Sequence, residues 1–327
     1  MTRIKVLCQR ARRTAEPFEY APGYVFTTDP DCRDYDWLVA YDELHKDCEE
    51  LSCPRERTIL LTGEPTSIKS YSRAYTRQFG HLLTNRPFEA ERHPHYHLGR
   101  GYYFWFVGRS YRECCRPVST PKDRLVSACI SAKQMRHTRH RDRFELMTAL
   151  SKSVAGLDWF GRGVRPFAHK YEVLDPYKYH IAVENHVAPH HWSEKIADAF
   201  LCECLPFYAG DPLLTEVFPR ESFIPIPIDD PREAANIVND AIASDAYAKR
   251  REAVLEAKRL ILEKYNFWAQ VIRVIEAERD QPVTVRDSVR PAMLYPRRTI
   301  RWRNPMAAIE CALFHLRQYC GARYIAV

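Results

Sequence analysis

An α/β fold built on parallel, Rossmann-like sheets is expected from three features of this 327-residue sequence. Short apolar runs of strand length alternate with longer runs of helical period. From residue 125 onward the alternation is regular, which calls for βαβ crossovers rather than hairpins. The length allows two domains, each with its own core. A hydrophobic content of 46% and an aromatic content of 12% supply those cores and exclude a disordered chain.

The elements follow in order. "YDWLVAYDEL" (35–44) and "RTILLTGEP" (57–65) each read as a buried strand ending at acidic or Gly/Pro punctuation. A polar region follows, then the aromatic run "GYYFWFVGRSY" (101–111), a strand or a ligand-facing loop. "CCRPVSTPKDR" (114–124) has two prolines, a charge cluster and few large apolar side chains, and reads as a linker. "LVSACIS" (125–131) is a strand and "RDRFELMTALSKS" (141–153) a helix. "GLDWFGRG" (156–163) is a strand running into a glycine turn, and "YHIAVEN" (179–185) another strand. "SEKIADAFLCECL" (193–205) is a helix and "PFYAG" (206–210) a strand. Apolar residues at three- and four-residue spacing make 229–278 helical. The last piece changes character: residues 285–303 hold six arginines against one aspartate, and "NPMAAIECALFHLRQYC" (304–320) reads as an amphipathic helix. Such an arm suits an anionic membrane surface, or it packs across the body of the protein.

Composition narrows the function classes. No stretch is long and apolar enough to span a membrane, and the first residues are charged where a secretion signal needs an apolar centre. A cytoplasmic protein, with peripheral membrane contact through 285–320, is expected. Eleven cysteines without a CxxC pair fit reduced thiols rather than a disulfide frame or structural zinc. The net charge of +7 suits anionic partners. The basic residues gather in the tail and around 137–143 rather than in a stripe with interleaved aromatics, so no nucleic-acid partner is expected.

In a parallel sheet, ligands gather at the carboxyl ends of the strands. The strand "YHIAV" ends at Glu184 and Asn185, and the next helix starts near Ser193, so "NHVAPHHWSEK" (185–195) stands at such a position. A helix N-terminus offers unpaired N–H groups to a phosphate. Lys195 in its first turn opposes the helix dipole unless an anion is near. Glu194 suits ribose or sugar hydroxyls, and Asn185 adds a group that both donates and accepts. The same residues also read as an ordinary helix start, with Ser193 as N-cap. As metal ligands His186, His190 and His191 are poor, because Pro189 opposes the helix that an HxxxH pair needs. "HPHYH" (93–97) offers a strand-borne pair or triple of histidines. No metal site is assigned to either cluster, and a histidine-ligated metal hydrolase ranks last among the readings.

"YKYHIAVENHVAPHHWSEKIADAFLCECLPFYAGDP" (177–212) resembles the signature of the fucosyltransferases of glycosyltransferase family ten, bacterial type. Glu184-Asn185, Glu194-Lys195 and Pro206, Tyr208, Gly210 and Pro212 fall at that family's spacing. "ESFIPIPIDD" (221–230), "HTRHRDRFELMTAL" (137–150) and "LLTGEPTSIKSY" (60–71) are similar to further elements of it. The resemblance implies a GT-B architecture, two Rossmann-like domains facing a cleft with a helical, basic C-terminal extension. Residues 1–118 would form the acceptor side, 119–284 the GDP-sugar-binding domain and 285–327 the extension.

The resemblance also implies an inverting transfer of fucose from GDP-fucose to a glycan or lipid-linked oligosaccharide, forming an α-1,3 linkage. No cofactor would be obligatory, and a divalent metal would be at most stimulatory. By position Glu64 matches the catalytic base, although it also reads as a solvated loop glutamate. Arg143 best matches the arginine that neutralises the diphosphate, with Arg139 and Arg141 as register-shifted rivals. Asn185, Glu194 and Lys195 match donor-binding positions. His191 and Ser193 stand where the family has tyrosine and threonine, which leaves the identity of the sugar open. A different GDP-sugar, or a binding module without transferase activity, remains the alternative.

Overall fold

The computed structural model describes residues 1–8, 21–44, 48–135, 137–279 and 292–319. These divide into two compact units: 1–102 with 270–319, and Tyr103–Ala269. Each is built on its own parallel sheet.

The first unit begins with β1 (Thr2–Leu7), β2 (Tyr24–Thr27), β3 (Trp37–Tyr41), the two-residue β4 (Glu49–Glu50) and β5 (Thr58–Leu61). Helix α1 (Arg73–Thr76), β6 (His81–Thr84), α2 (Pro87–Glu91) and β7 (Tyr96–Leu98) follow. The sheet order is β2-β1-β3-β5-β6-β7, with every pairing parallel. β3 and β5 are buried at every position, as central strands covered on both faces must be. β1 carries a fully buried Lys5, whose ammonium donates to the Pro30 and Cys32 carbonyls (2.7 and 3.0 Å) and to Glu49 (2.8 Å).

The second unit holds α3 (Tyr111–Cys114), β8 (Arg124–Cys129), α4 (His140–Ser153), β9 (Leu157–Phe160) and β10 (Tyr177–Val183). It continues with α5 (Glu194–Leu201), β11 (Leu205–Ala209), β12 (Ile224–Pro225), α6 (Pro231–Ala243) and α7 (Ala246–Glu263), and α8 (Phe267–Ala277) starts in it. Its sheet runs β12-β11-β10-β8-β9, again all parallel. Leu146, Met147 and Leu150 of α4 and Ile196, Ala199 and Phe200 of α5 are buried in the core cluster that covers the sheet.

In each sheet the second strand in the chain lies outside the first and the later strands run the other way. Chain direction therefore reverses between β1 and β3, and between β8 and β10. Loops diverge there and leave a crevice at the carboxyl ends of the two strands, the usual ligand position of a doubly wound sheet.

Of the two readings of the aromatic run 101–111, the structure has the loop: Tyr102, Tyr103, Phe104 and Val107 are buried within irregular backbone, and Phe104 stacks on Phe267 at 4.5 Å. Two readings differ from the structure. The stretch 114–124 is built into the second unit. Lys122 fastens it there by donating to the carbonyls of Asp175, Tyr177 and Cys202 (3.0, 2.8 and 2.7 Å). The boundary expected at 118/119 thus falls inside that unit, whose first residue is Tyr103.

The C-terminal piece belongs to the first unit. There β13 (Met293–Leu294) pairs antiparallel with β4 and is followed by α9 (Arg297–Arg303) and α10 (Pro305–Tyr319). Arg297 pairs with Glu43 (3.1 Å), and Arg92 with Glu310 (3.2 Å). Arg286 and Arg290 of the basic arm lie outside the described residues.

Candidate active site

At the end of β10 the backbone N–H of Glu184 still bonds the Ala209 carbonyl (2.8 Å), which carries its side chain into the interior at 0% exposure. A carboxylate there needs a full set of partners. It accepts the N–H of Ser193 (2.9 Å) and the Ser193 hydroxyl (2.7 and 2.8 Å), and it pairs with the ammonium of Lys195 at 2.9 Å. Ser193 in turn caps α5, accepting from the N–H of Lys195 at 3.4 Å. The loop 185–192 is thereby closed at its base. The cation at the helix start, unfavourable by itself, is offset by the protein's own Glu184. Burial alone would lower the pKa of Lys195, but Glu184 and Glu194 hold it raised. Burial would raise that of Glu194, and Lys195 and Lys170 bring it below the usual carboxylate value. Both side chains therefore remain charged.

The loop after β8 leads into α4, and the N–H of Arg139 donates to the Asn185 carbonyl (3.1 Å), joining the two loops of the crevice. The three arginines at this helix start have different fates. Arg139 forks onto Asp229 (2.6 and 3.0 Å) and reaches Asp142 (2.8 Å). Arg141 is exposed and pairs along its own helix with Glu145 at 2.7 Å. Arg143 is 6% exposed, and its Nε has no hydrogen-bond partner among the described residues. Burial lowers its pKa, opposed by Glu184 and Glu194. His140 lies in the same field: burial and the neighbouring Arg143, Lys133 and Lys195 pull its pKa down to about 4. The crevice thus holds a buried guanidinium whose donors suit an oxyanion with several oxygens.

The histidine loop is held by residues beyond it. His190 takes a left-handed backbone (φ 60°), and its N–H donates to Asp211 at 2.9 Å. His191 is buried, with Nδ1 at 3.1 Å from the Tyr103 hydroxyl and its ring edge-on to His186 at 5.2 Å. The three loop histidines form no metal-ligating group among the described residues. At Gly210 any Cβ would collide with the Tyr208 hydroxyl and come within 2.6 Å of Glu184 Cγ, so only glycine allows β11 to pass this close. Beneath α5, Lys170 pairs with the fully buried Asp198 (2.8 Å), which also accepts the N–H of Phe106 (3.1 Å). That pair ties the aromatic loop to the helix that presents Glu194 and Lys195.

Glu64 belongs to the first unit, three residues beyond β5. Asp42, at the end of β3 and itself left-handed (φ 67°), accepts the N–H groups of Gly63 (2.6 Å) and Glu64 (3.1 Å) through one carboxylate oxygen. The backbone carrying Glu64 is therefore fixed at the carboxyl end of its sheet. The sequence reading gave no role to Glu184 or to Asp42, the two carboxylates that hold these loops. A signal is present for Glu184, an acid directly after the apolar run Ile181-Ala182-Val183 and nine residues before a Ser-Glu-Lys helix start.

Residues 119–246 match the family model described as glycosyltransferase family 10 (fucosyltransferase), C-terminal part. This segment is a glycosyltransferase family 10 domain. Arg143, Glu184, Asn185, His191, Ser193, Glu194, Lys195 and Gly210 all lie within the family 10 domain. Among solved structures, the chain is similar to an α1,3-fucosyltransferase with GDP-fucose at 14% identity, covering 80% of this chain and 90% of that one (TM-score 0.46). A second, an α1,3-fucosyltransferase with GDP, is 14% identical over 82% and 92% of the two chains (TM-score 0.47). Sucrose-phosphate synthase from Thermosynechococcus elongatus is 11% identical over 75% and 73% (TM-score 0.42). No curated protein matches the sequence. Outside the family 10 domain, Glu64 stands on residue-level similarity alone.

Proposed function

We propose that the chain is a GT-B glycosyltransferase that moves fucose from GDP-fucose to a glycan hydroxyl with inversion, forming an α-1,3 linkage. The observation that carries the reading is Arg143, a buried guanidinium beside Lys195 at the switch point of a family 10 domain. In this proposal Arg143, Lys195 and the first N–H groups of α5 take the diphosphate and stabilise the charge that grows on it as GDP departs. Asn185 and Glu194 hold ribose and sugar hydroxyls, while His191 and Ser193 shape the loop that presents them. Glu64 accepts the proton of the acceptor hydroxyl. The freed oxygen attacks the anomeric carbon, the bond to the diphosphate breaks, and GDP leaves with the electron pair. One displacement of this kind inverts the anomeric centre.

A donor panel tests it: purified chain with GDP-fucose, GDP-mannose and UDP-glucose, fucosylated or unmodified oligosaccharide acceptors, and NMR assignment of any new linkage. GDP-fucose consumption with an α-linked product is expected, and turnover of UDP-glucose alone would overturn the proposal.

A lipid-linked acceptor at the cytoplasmic membrane face is supported by α10. Its Met306, Ile309, Leu313 and Leu316 are exposed (64, 50, 53 and 57%) and repeat at three- and four-residue spacing. Arg298, Arg301 and Arg303 of α9 and Arg317 of α10 supply positive charge. This pattern suits an anionic bilayer surface. No helix among the described residues is long and apolar enough to cross a membrane. Co-sedimentation with phosphatidylserine vesicles, lost in Leu313→Glu and absent with phosphatidylcholine, is the expected result. Equal recovery with both lipids would exclude this surface.

A further inference from the structure

The first unit carries a second cluster of chemistry that the transfer reaction does not use. β6 and β7 are neighbours, with Leu83 opposite His97, so His81 and His97 lie two positions apart on one face of the sheet. His95 shares that face, with its ring 5.8 Å from His81. Glu278, just past the end of α8, completes the group. His97 Nε2 lies 3.4 Å from His81 Nδ1 and 3.4 Å from Glu278 Oε1, and the three donor atoms all fall within 4.8 Å of one another.

Hydrogen bonding explains these distances poorly, since good N–H···O and N–H···N contacts centre near about 2.9–3.0 Å. A shared metal explains them better. Metal–ligand bonds of about 2.0–2.1 Å at tetrahedral angles put neighbouring donor atoms about 3.3–3.4 Å apart. The tautomer is also right. His81 Nε2 sits 2.8 Å from the Glu56 carbonyl, which can only accept, so the proton resides on Nε2 and the Nδ1 lone pair faces His97 and Glu278. A ligating imidazole held from behind by a backbone carbonyl is the usual second-shell support of a zinc site. His81 is 6% exposed, and the side chains of His97 and Glu278 are 12 and 18% exposed. The neighbouring cation, Arg273, is engaged with the Leu98 carbonyl (2.8 Å) and Gln270 (3.2 Å).

We propose that His81, His97 and Glu278 bind one divalent transition-metal ion of the zinc class, with water or His95 in the fourth position. Two imidazoles and a carboxylate are borderline donors that suit zinc over magnesium or calcium. The ion would clamp the end of α8 to the short strands at the sheet edge. Its place is structural and separate from the family 10 domain.

The test uses the full chain, stripped with chelator and titrated with Zn2+ against a chromophoric competitor. Wild type is expected to hold one tight equivalent and to melt at a higher temperature when loaded. Glu278→Gln and His97→Ala should each weaken that equivalent at least about tenfold. Glu278→Gln is nearly isosteric and partly exposed, so it reads the site even if His97→Ala folds poorly. Tight metal retained by Glu278→Gln would place the ion on other histidines or cysteines and overturn the proposal, as would a wild type that binds no tighter than the variant. GDP binding by the stripped protein is a separate readout, and its loss or survival concerns the transferase reading alone.

Discussion

Glu184→Ala is expected to cost the second unit about 3–5 kcal/mol, the largest stability effect of any single change at the site. The substitution leaves the ammonium of Lys195 without its 2.9 Å partner, removes the acceptor of the Ser193 N–H and hydroxyl, and opens a void against Gly210. Donor affinity should fall with stability, because Glu184 fixes the loop and helix start that carry Asn185, Glu194 and Lys195. Glu184→Gln keeps the shape and some of the hydrogen bonding while removing the charge, and should be intermediate. Urea unfolding with GDP titration of the same samples checks both. A loss under about 1 kcal/mol in Glu184→Ala would mean that the carboxylate is a bystander.

Glu64→Gln is expected to reduce sugar transfer about 10²–10⁴-fold, the range for losing a general base. GDP affinity and melting temperature should stay near wild type, because Asp42 holds the backbone here and glutamine keeps the shape of the side chain. The split between rate and binding is what identifies a base. A proportionate loss of both would instead mark Glu64 as part of the fold, and unchanged turnover would move the base elsewhere.

Much of the second unit was legible because its elements obey simple periods. β8, β10 and β11 are mostly apolar runs of strand length, and α4 and α5 repeat apolar residues every third or fourth position, so their readings fall within a few residues of the structure. The first unit hid more. β1 has Lys5 at a fully buried position, which breaks the apolar pattern and is tolerated only because two carbonyls and Glu49 surround the ammonium. β6 and β7 have four and three residues, too few to show a period, and histidines begin or interrupt them. The aromatic run 101–111 reads as a strand or a loop alike, because buried side chains there are packed by irregular backbone.

At the site, the sequence marked the residues that stand together in one motif. It leaves Arg139, Arg141 and Arg143 as rivals, and the pairing of Arg139 with Asp229 and of Arg141 with Glu145 supports the proposal of Arg143. The partners of Glu184 were equally hidden, because the fold of the loop brings them together. The grouping of His81 and His97 with Glu278 joins residues too far apart in the chain for any spacing rule to connect.

We propose that the crevice between β8 and β10 binds guanosine diphosphate with Arg143 at its centre. Calorimetric titration of GDP and UDP into wild type and Arg143→Ala addresses it directly. Wild type is expected to bind GDP in preference to UDP. Removing the guanidinium should weaken GDP about 10–100-fold, the equivalent of one or two charge-assisted hydrogen bonds. A folded Arg143→Ala protein that binds GDP as tightly as wild type would mean that the guanidinium does not hold the diphosphate.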